Sequence, residues 1–380
     1  MTGAPGESTA LVDRLRAEIL AAGGAIPFAR YMDLALYEPG LGYYERAARV
    51  VGRGGDFATS VSVGPMFGEL LARWILDGAV SRSTELSAGP VELVEAGAHD
   101  GRLAEDILDA IGRLGGADAA RFSYRIVEPS PVRQAWQAAR LARFGDRIRW
   151  SPSMPGRQPG GPGVRGVILS NELLDAFPVE RWRWSADRRR WVEQGVTWRQ
   201  DRFEWVCLPT APPPGWALPQ ELEAVLPEGF VRERSPAAVD WWANAARSLE
   251  AGCLLAIDYG LDAEEFLVPH RAEGTLRAYR RHRVSGDLLD SPGEVDLTAH
   301  VDFTAIARAG EREGLTTWGC PSQSRFLLGV LESTQRVPGG FPEWTPARVR
   351  AFQTLTHPEH FGRSFRVLVQ GRGPTPWDLR

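Results

Sequence analysis

Lysine is absent from this 380-residue chain, so all 44 basic side chains are arginine. The bias of a GC-rich genome accounts for that choice. A phosphate-reading function would need the arginines clustered with aromatics. With a formal net charge of -4, a broad nucleic-acid-binding surface is not expected. The densest basic run, Arg188-Arg189-Arg190, reads as a charged hairpin turn. Cysteine is scarce. Cys207, Cys253 and Cys320 lie too far apart for a disulfide framework or a metal-ligand motif, which points to a reducing compartment. His357 and His360 lie in HPEH beside a proline, without the helical spacing of a zinc motif, so no metal is expected. No stretch approaches the roughly 20 apolar residues of a membrane span. The segment MTGAPGESTALVDRLRAEIL has neither the basic start nor the apolar run of a secretory signal, and it is too acidic for a transit peptide. A cytoplasmic protein is the expectation.

What is present is an ordinary globular composition, 43% hydrophobic and 24% charged, long enough for two domains or one elaborated domain. Residues 8–22 space Leu11, Leu15, Ile19 and Leu20 as a helix, with Ser8 or Thr9 as its cap. IPFARYMDLALYEPGLGYY follows, then a glycine-rich loop, Gly52 to Thr59, and a helix from Met66 to Leu76. From Val91 the pattern changes. Strands at Val91 to Ala96, Tyr124 to Glu128, Ile148 to Trp150 and Gly166 to Ser170 alternate with helices at Arg102 to Leu114 and Val132 to Phe144. This alternation predicts βαβ units and a parallel sheet. Residues 177–208 instead alternate bulky and polar side chains as an antiparallel meander. The helix Ala237 to Leu249 and the strand Cys253 to Ile257 come next. Strands near Thr316 to Trp318 and Phe365 to Val369 close the sheet as a hairpin-like edge. The expected division is residues 1–85 as a helical extension with the glycine loop and 86–380 as the α/β domain, with an inserted meander at about 177–235.

The turn Glu95-Ala96-Gly97-Ala98-His99-Asp100-Gly101 joins the first of these strands to its helix. Ligands of open α/β sheets bind outside the carboxyl ends of the strands, at the switch point. Gly97 and Gly101 allow close backbone approach, but their spacing is not the G-x-G-x-x-G of a nicotinamide fingerprint. Glu95 and Asp100 disfavour a pyrophosphate at this helix end and suit a cationic, hydroxyl-bearing ligand. S-adenosylmethionine carries an ammonium and a sulfonium. Glu128, 33 positions after Glu95, stands where a strand-tip acid holds ribose hydroxyls. The fourth strand runs into Asn171-Glu172-Leu173-Leu174-Asp175. If this segment turns helically, Glu172 and Asp175 share a face beside Asn171 and can grip a cationic acceptor; otherwise Asn171 caps a helix and the acids are solvated. Asp56 and Thr59 sit in a loop that acts as a lid or as a plain connector. His282 and His300 are the histidine candidates for acid–base work. The tryptophans at 181–205 form a partner-binding face or, the blander option, the buried face of a small sheet. Trp241 and Trp242 point in different directions on one helix, which leaves at least one partly exposed.

Read together, IPFARYMDLALYEPGLGYY, GGDFATS, FGELLARW, VELVEAGAHDGRLAEDIL, YRIVEPSP, NELLDAFPVERW, LLAIDYG, GTLRAYRRH, PGEVDLTAHVDF and QSRFLLGVL resemble the MidA-like class I methyltransferases. The likeness runs from about Ile26 to Val369. It implies a seven-stranded, doubly wound Rossmann-like methyltransferase sheet with an N-terminal helical extension and an inserted antiparallel β region. It implies S-adenosyl-L-methionine as cofactor, held at Glu95, Gly97, Gly101 and Glu128, with Gly55, Asp56 and Thr59 nearby; Asp100 and Asn171 are further candidates for holding it. Asn171, Glu172, Asp175 and His300 are the candidates at the reacting centre. The implied activity is methylation of a protein arginine, with a respiratory-complex-type subunit as the implied partner. A non-catalytic assembly protein on the same fold and a small-molecule methyltransferase are the alternatives. The chain departs from the commoner pattern in having His99 at the central glycine of the turn and TSVSVGP where an acid is usual. Oligomeric state is not readable.

Overall fold

The runs Val91–Ala96 and Val164–Asn171 are buried at nearly every position. Such strands suit only a sheet covered on both faces, and in a computed structural model they form the parallel centre of one. The structure describes residues 5–45, 59–80, 86, 88–156, 162–214, 216, 218–280, 283–335 and 341–373.

The chain begins with α1 (Pro5–Ala21), β1 (Ile26–Pro27), α2 (Phe28–Tyr37) and α3 (Met66–Trp74). There follow β2 (Val91–Ala96), α4 (Arg102–Leu114), β3 (Phe122–Val127), α5 (Pro131–Leu141), β4 (Ile148–Ser151) and β5 (Val164–Asn171). Next are β6 (Glu180–Ser185), β7 (Arg190–Arg199), β8 (Arg202–Cys207), α6 (Gln220–Val225), β9 (Val231–Arg234), α7 (Pro236–Ser248) and β10 (Leu249–Leu261). Then come β11 (Arg277–Arg280), β12 (Arg283–Ser285), β13 (Asp296–Thr298), β14 (Val301–Asp302) and α8 (Phe303–Arg312). The last are β15 (Thr316–Gly319), α9 (Gln323–Gln335), α10 (Pro346–Thr356) and β16 (Phe365–Gly371). Two compact units result: Met1–Phe57, Asp175–Ala238 and Leu261–Asp302 form the first, and Ala58–Leu174, Val239–Gly260 and Phe303–Arg380 the second.

In the first unit, β1, β7, β6 and β9 form an antiparallel sheet with β8 added to β7. This is the meander predicted from residues 177–208. Arg188 and Arg189 lie in the turn between β6 and β7. Trp182, Trp184 and Trp191 are buried in one aromatic cluster, so these tryptophans belong to the buried face of the sheet. Helix α1 starts at Pro5, ahead of the expected Ser8 or Thr9 cap; proline's fixed φ suits a first helical turn. Its Leu11, Leu15 and Ile19 are buried, but Leu20 is 80% exposed. One residue is about 100° of helix, so Leu20 cannot share the face of Ile19.

In the second unit the sheet order is β15-β16-β10-β5-β2-β3-β4. β2 is parallel to β3 and to β5, β3 to β4, and β5 to β10. β16 runs antiparallel to β10 and β15, as the predicted edge hairpin requires. From β2 the chain steps outward to β3 and β4, then returns to the other side of β2 as β5. The strand order therefore reverses between β2 and β5. Helix α4 covers the sheet with Leu103, Ala104, Ile107, Leu108, Ala110 and Ile111 buried. On α7, Trp242 is buried and Trp241 is partly exposed. Among the described residues no helix is long and apolar enough to cross a membrane.

Candidate functional site

Register decides which side chains meet at the carboxyl ends of the parallel strands. Ala96 pairs with Val127 on one side and Ser170 on the other, and Asn171 pairs with Ile257. The next residues, Gly97, Glu128 and Asn171, thus line up along one edge of the sheet, on both sides of the switch point, and Asp258 follows Ile257, the partner of Asn171, one step further along β10. Apart from the glycine, each of these four residues carries an acid or an amide.

The turn after β2 is built on left-handed backbone. Gly97 has φ 78°, His99 φ 46° and Gly101 φ 80°. Glycine adopts such angles freely, whereas an L-residue pays roughly 1–2 kcal/mol for the left-handed region. His99 is therefore a strained position, where the commoner pattern has glycine. Asp100 stands just before Gly101, the N-cap of the helix that follows. Its Oδ1 accepts from the Arg102 N–H at 3.1 Å and its Oδ2 from Arg140 Nη2 at 2.9 Å. Burial alone pushes the Asp100 carboxyl up, but the His99 hydrogen bond and the Arg140 charge hold it at about 2. Glu95 is 2% exposed, and its Oε2 accepts from the Tyr124 hydroxyl at 2.8 Å. Burial, with the charge of Asp100 adding to it, pushes the Glu95 carboxyl up to about 8 against that hydrogen bond. Glu128 is also buried. Its Oε1 accepts from the Ser130 N–H at 3.0 Å and its Oε2 from Gln137 Nε2 at 3.1 Å. Carboxylate oxygens keep further lone pairs after such bonds.

Across the switch point, Glu172 has φ 50° and its N–H donates to Ile257 O at 2.9 Å. The segment after β5 therefore does not continue as a helix, and the helical spacing of Glu172 and Asp175 is not formed. Instead Asp258 organises it. Asp258 Oδ2 accepts from the N–H groups of Leu173 (3.1 Å) and Leu174 (2.8 Å). Burial, with the Glu172 charge behind it, pushes Asp258 up against these backbone donors. Glu172 Oε1 accepts from Asn171 Nδ2 at 3.1 Å and from the Ser60 N–H at 3.2 Å. Thr59 and Ser62 close a capping box that starts the short turn at Ser60–Val63. The buried Oδ1 of Asn171 has no hydrogen-bond partner.

The structure thus brings Thr59, Glu95, Gly97, Asp100, Gly101, Glu128, Asn171 and Glu172 into the second unit. Asp175 and His300 lie in the first, where the Ala299 N–H donates to Asp175 O at 2.9 Å. Burial, then Arg271 and Arg277, push His300 down to about 4, so its imidazole is neutral at pH 7. Gly55, Asp56 and His282 lie outside the described residues. Sequence reasoning passed over Asp258, although it follows the apolar run Cys253–Ile257 just as Glu128 follows β3. Gln137 had no local signal at all.

The acceptor-rich row fits a ligand that presents donors. S-adenosylmethionine offers an ammonium and ribose hydroxyls, and the Glu128 carboxyl keeps lone pairs to accept them beyond its bonds to Ser130 and Gln137. The comparisons agree. The family model for S-adenosyl-L-methionine-dependent methyltransferases matches residues 70–320. A structure from Burkholderia thailandensis, bound to S-adenosyl-homocysteine, is 34% identical with a TM-score of 0.83, covering 99% of this chain and 97% of that one. The mitochondrial protein arginine methyltransferase NDUFAF7 homolog of Drosophila melanogaster is 29% identical over 96% of this chain and 85% of that protein. Its Danio rerio relative, protein arginine methyltransferase NDUFAF7, is 28% identical over 94% and 86%. The chain belongs to the MidA-like family of S-adenosyl-L-methionine-dependent methyltransferases, and S-adenosyl-L-methionine is its cofactor.

Proposed function

We propose that this methyltransferase acts on the guanidinium of an arginine in a protein partner. The amide of Asn171 carries the reading. A carboxylate accepts and does not donate, so the bond to Glu172 Oε1 fixes Nδ2 toward Glu172. Oδ1 is left as a buried acceptor with no partner. A buried acceptor of this kind calls for a donor, and an acceptor nitrogen bearing N–H supplies one where a carboxylate or carbanion does not. A guanidinium presents five donors in a plane, and the adjacent Glu172 favours its charge. The names of the relatives, protein arginine methyltransferases at 28–29% identity, support the same substrate class.

In this reading Glu95, Gly97, Gly101 and Glu128 hold the cofactor, which when bound supplies an electrophilic methyl group on a sulfonium. The chain's own work is to orient the acceptor nitrogen through Asn171 and to keep water out. Glu172 takes the proton that a guanidinium nitrogen loses on gaining a methyl group.

The test uses tritium-methyl S-adenosylmethionine with a protein extract and the purified enzyme, followed by acid hydrolysis. Label should run as methylarginine. Asn171→Leu should lower the rate at least tenfold while S-adenosyl-homocysteine affinity stays within threefold by calorimetry. Label found only as base-labile ester, or only in small molecules, would overturn the arginine reading.

A further inference from the structure

We infer that Gln137 is a positioning residue for the cofactor turn: it holds the left-handed His99 and the acid Glu128 in place, through one stripe of helix α5. The inference rests on the residue 97–101 turn being the cofactor turn. It adds a device that neither the family likeness nor the strand-tip logic contains.

Gln137 is fully buried, and both N–H groups of its amide are used. Trp150 Nε1 donates to Gln137 Oε1 at 2.9 Å. An indole N–H only donates, so this bond fixes which end of the amide is oxygen. Nε2 then faces the turn. It donates to His99 O at 3.0 Å and to Glu128 Oε2 at 3.1 Å. One side chain thus ties β4, the tip of β3 and the turn after β2.

Its neighbours on the same face continue the contact at helical spacing. Gln134 Nε2 donates to Glu128 O at 2.6 Å. Arg140 Nε donates to Asp100 O at 2.9 Å, and a Cβ on Gly101 would meet Leu141 Cδ1 at 3.1 Å. Helix α5 therefore bonds two successive carbonyls of the turn, those of His99 and Asp100. His99 sits at φ 46°, in a region that a non-glycine residue keeps only when its surroundings hold it there. The bond from Gln137 to the His99 carbonyl is such a hold. Glycine at position 99 needs none.

The experiment is a mutant cycle on the full-length protein, read by calorimetric titration with S-adenosyl-homocysteine and by urea denaturation without ligand. Gln137→Met keeps the volume and removes the donors. Its Kd should rise about tenfold, while the KM for the protein acceptor at saturating cofactor stays within twofold. In a His99→Gly background the same change should raise Kd only about threefold, the part that runs through Glu128. In a His99→Ala background, which keeps a Cβ but loses the imidazole, the loss should return to about tenfold. Trp150→Phe frees the amide to rotate and should weaken binding in the same direction by a smaller factor, which covers the case of a poorly folded Gln137→Met. Equal losses in the wild-type and His99→Gly backgrounds would overturn the inference, as would an unchanged Kd in folded Gln137→Met. A ligand-free cycle that shows the coupling, with no S-adenosyl-homocysteine binding in any variant, would refute the cofactor role of the turn and leave the Gln137–His99 contact standing.

Discussion

Glu95 is a carboxyl group closed off from water at the end of β2, with the Tyr124 hydroxyl donating to it. Burial pushes it from 4.5 up to about 8. Between those values the folded protein holds a proton that the unfolded chain releases, so this group's contribution to stability is present below about pH 4.5 and is lost as pH rises to about 8. The slope is bounded by about 1.4 kcal/mol per pH unit. Glu95→Gln keeps the shape and removes the titration. Urea denaturation of both proteins from pH 5 to 8 should therefore show the variant gaining on the wild type as pH rises. A difference independent of pH would mean that Glu95 is already ionised in the folded protein. Glu95 was legible as a candidate because a buried apolar strand ends at it. Its protonation was not legible, because that depends on Tyr124, a partner 29 residues away that the parallel pairing of β2 and β3 brings alongside.

Helices show the same division between what is local and what is not. The boundaries of α3, α4 and α5 follow from apolar periodicity and helix-end residues, and the structure places them within a few residues of expectation. What binds them to one another does not. Glu69 on α3 is 3% exposed, and it meets Arg113 of α4 at 2.8 Å and Arg348 of α10 at 2.7 Å. Those partners are 44 and 279 positions away, so no local pattern announces them. Size of effect separates the three members. Glu69→Ala would leave the less exposed Arg348 facing a buried gap, and breaking a buried ion pair costs about 3–5 kcal/mol. The Arg113 side chain is 51% exposed, and exposed pairs are worth about 0–1 kcal/mol. Chemical denaturation should therefore show Glu69→Ala losing at least three times as much stability as Arg113→Ala. Comparable losses would place Glu69 in a wetter setting than its burial indicates.

At the scale of the whole chain, each unit draws on segments that the other's segments separate, and this was the least legible feature. Strands β1 and β7, for instance, pair Ile26 with Val196, although β1 has only two residues and no alternation to mark it. In the second unit, β5 lies between β2 and β10, and β10 comes from residues that follow the whole meander. The central sheet is therefore incomplete until the chain beyond residue 248 has been made. Long-range parallel pairing of this kind pays its loop-closure entropy before its contacts form. The fragment 58–174 tests the consequence. It contains β2, β3, β4 and β5 but lacks β10, β16 and β15, so β5 becomes an edge strand with nearly every residue apolar or buried in the full protein. A long hydrophobic edge recruits other chains. Size-exclusion chromatography of the fragment should show aggregates, and circular dichroism should show no cooperative thermal transition, whereas the full chain gives one. A monomeric fragment that melts cooperatively would mean that β2 to β5 form a self-sufficient core and that β10 only adds to it.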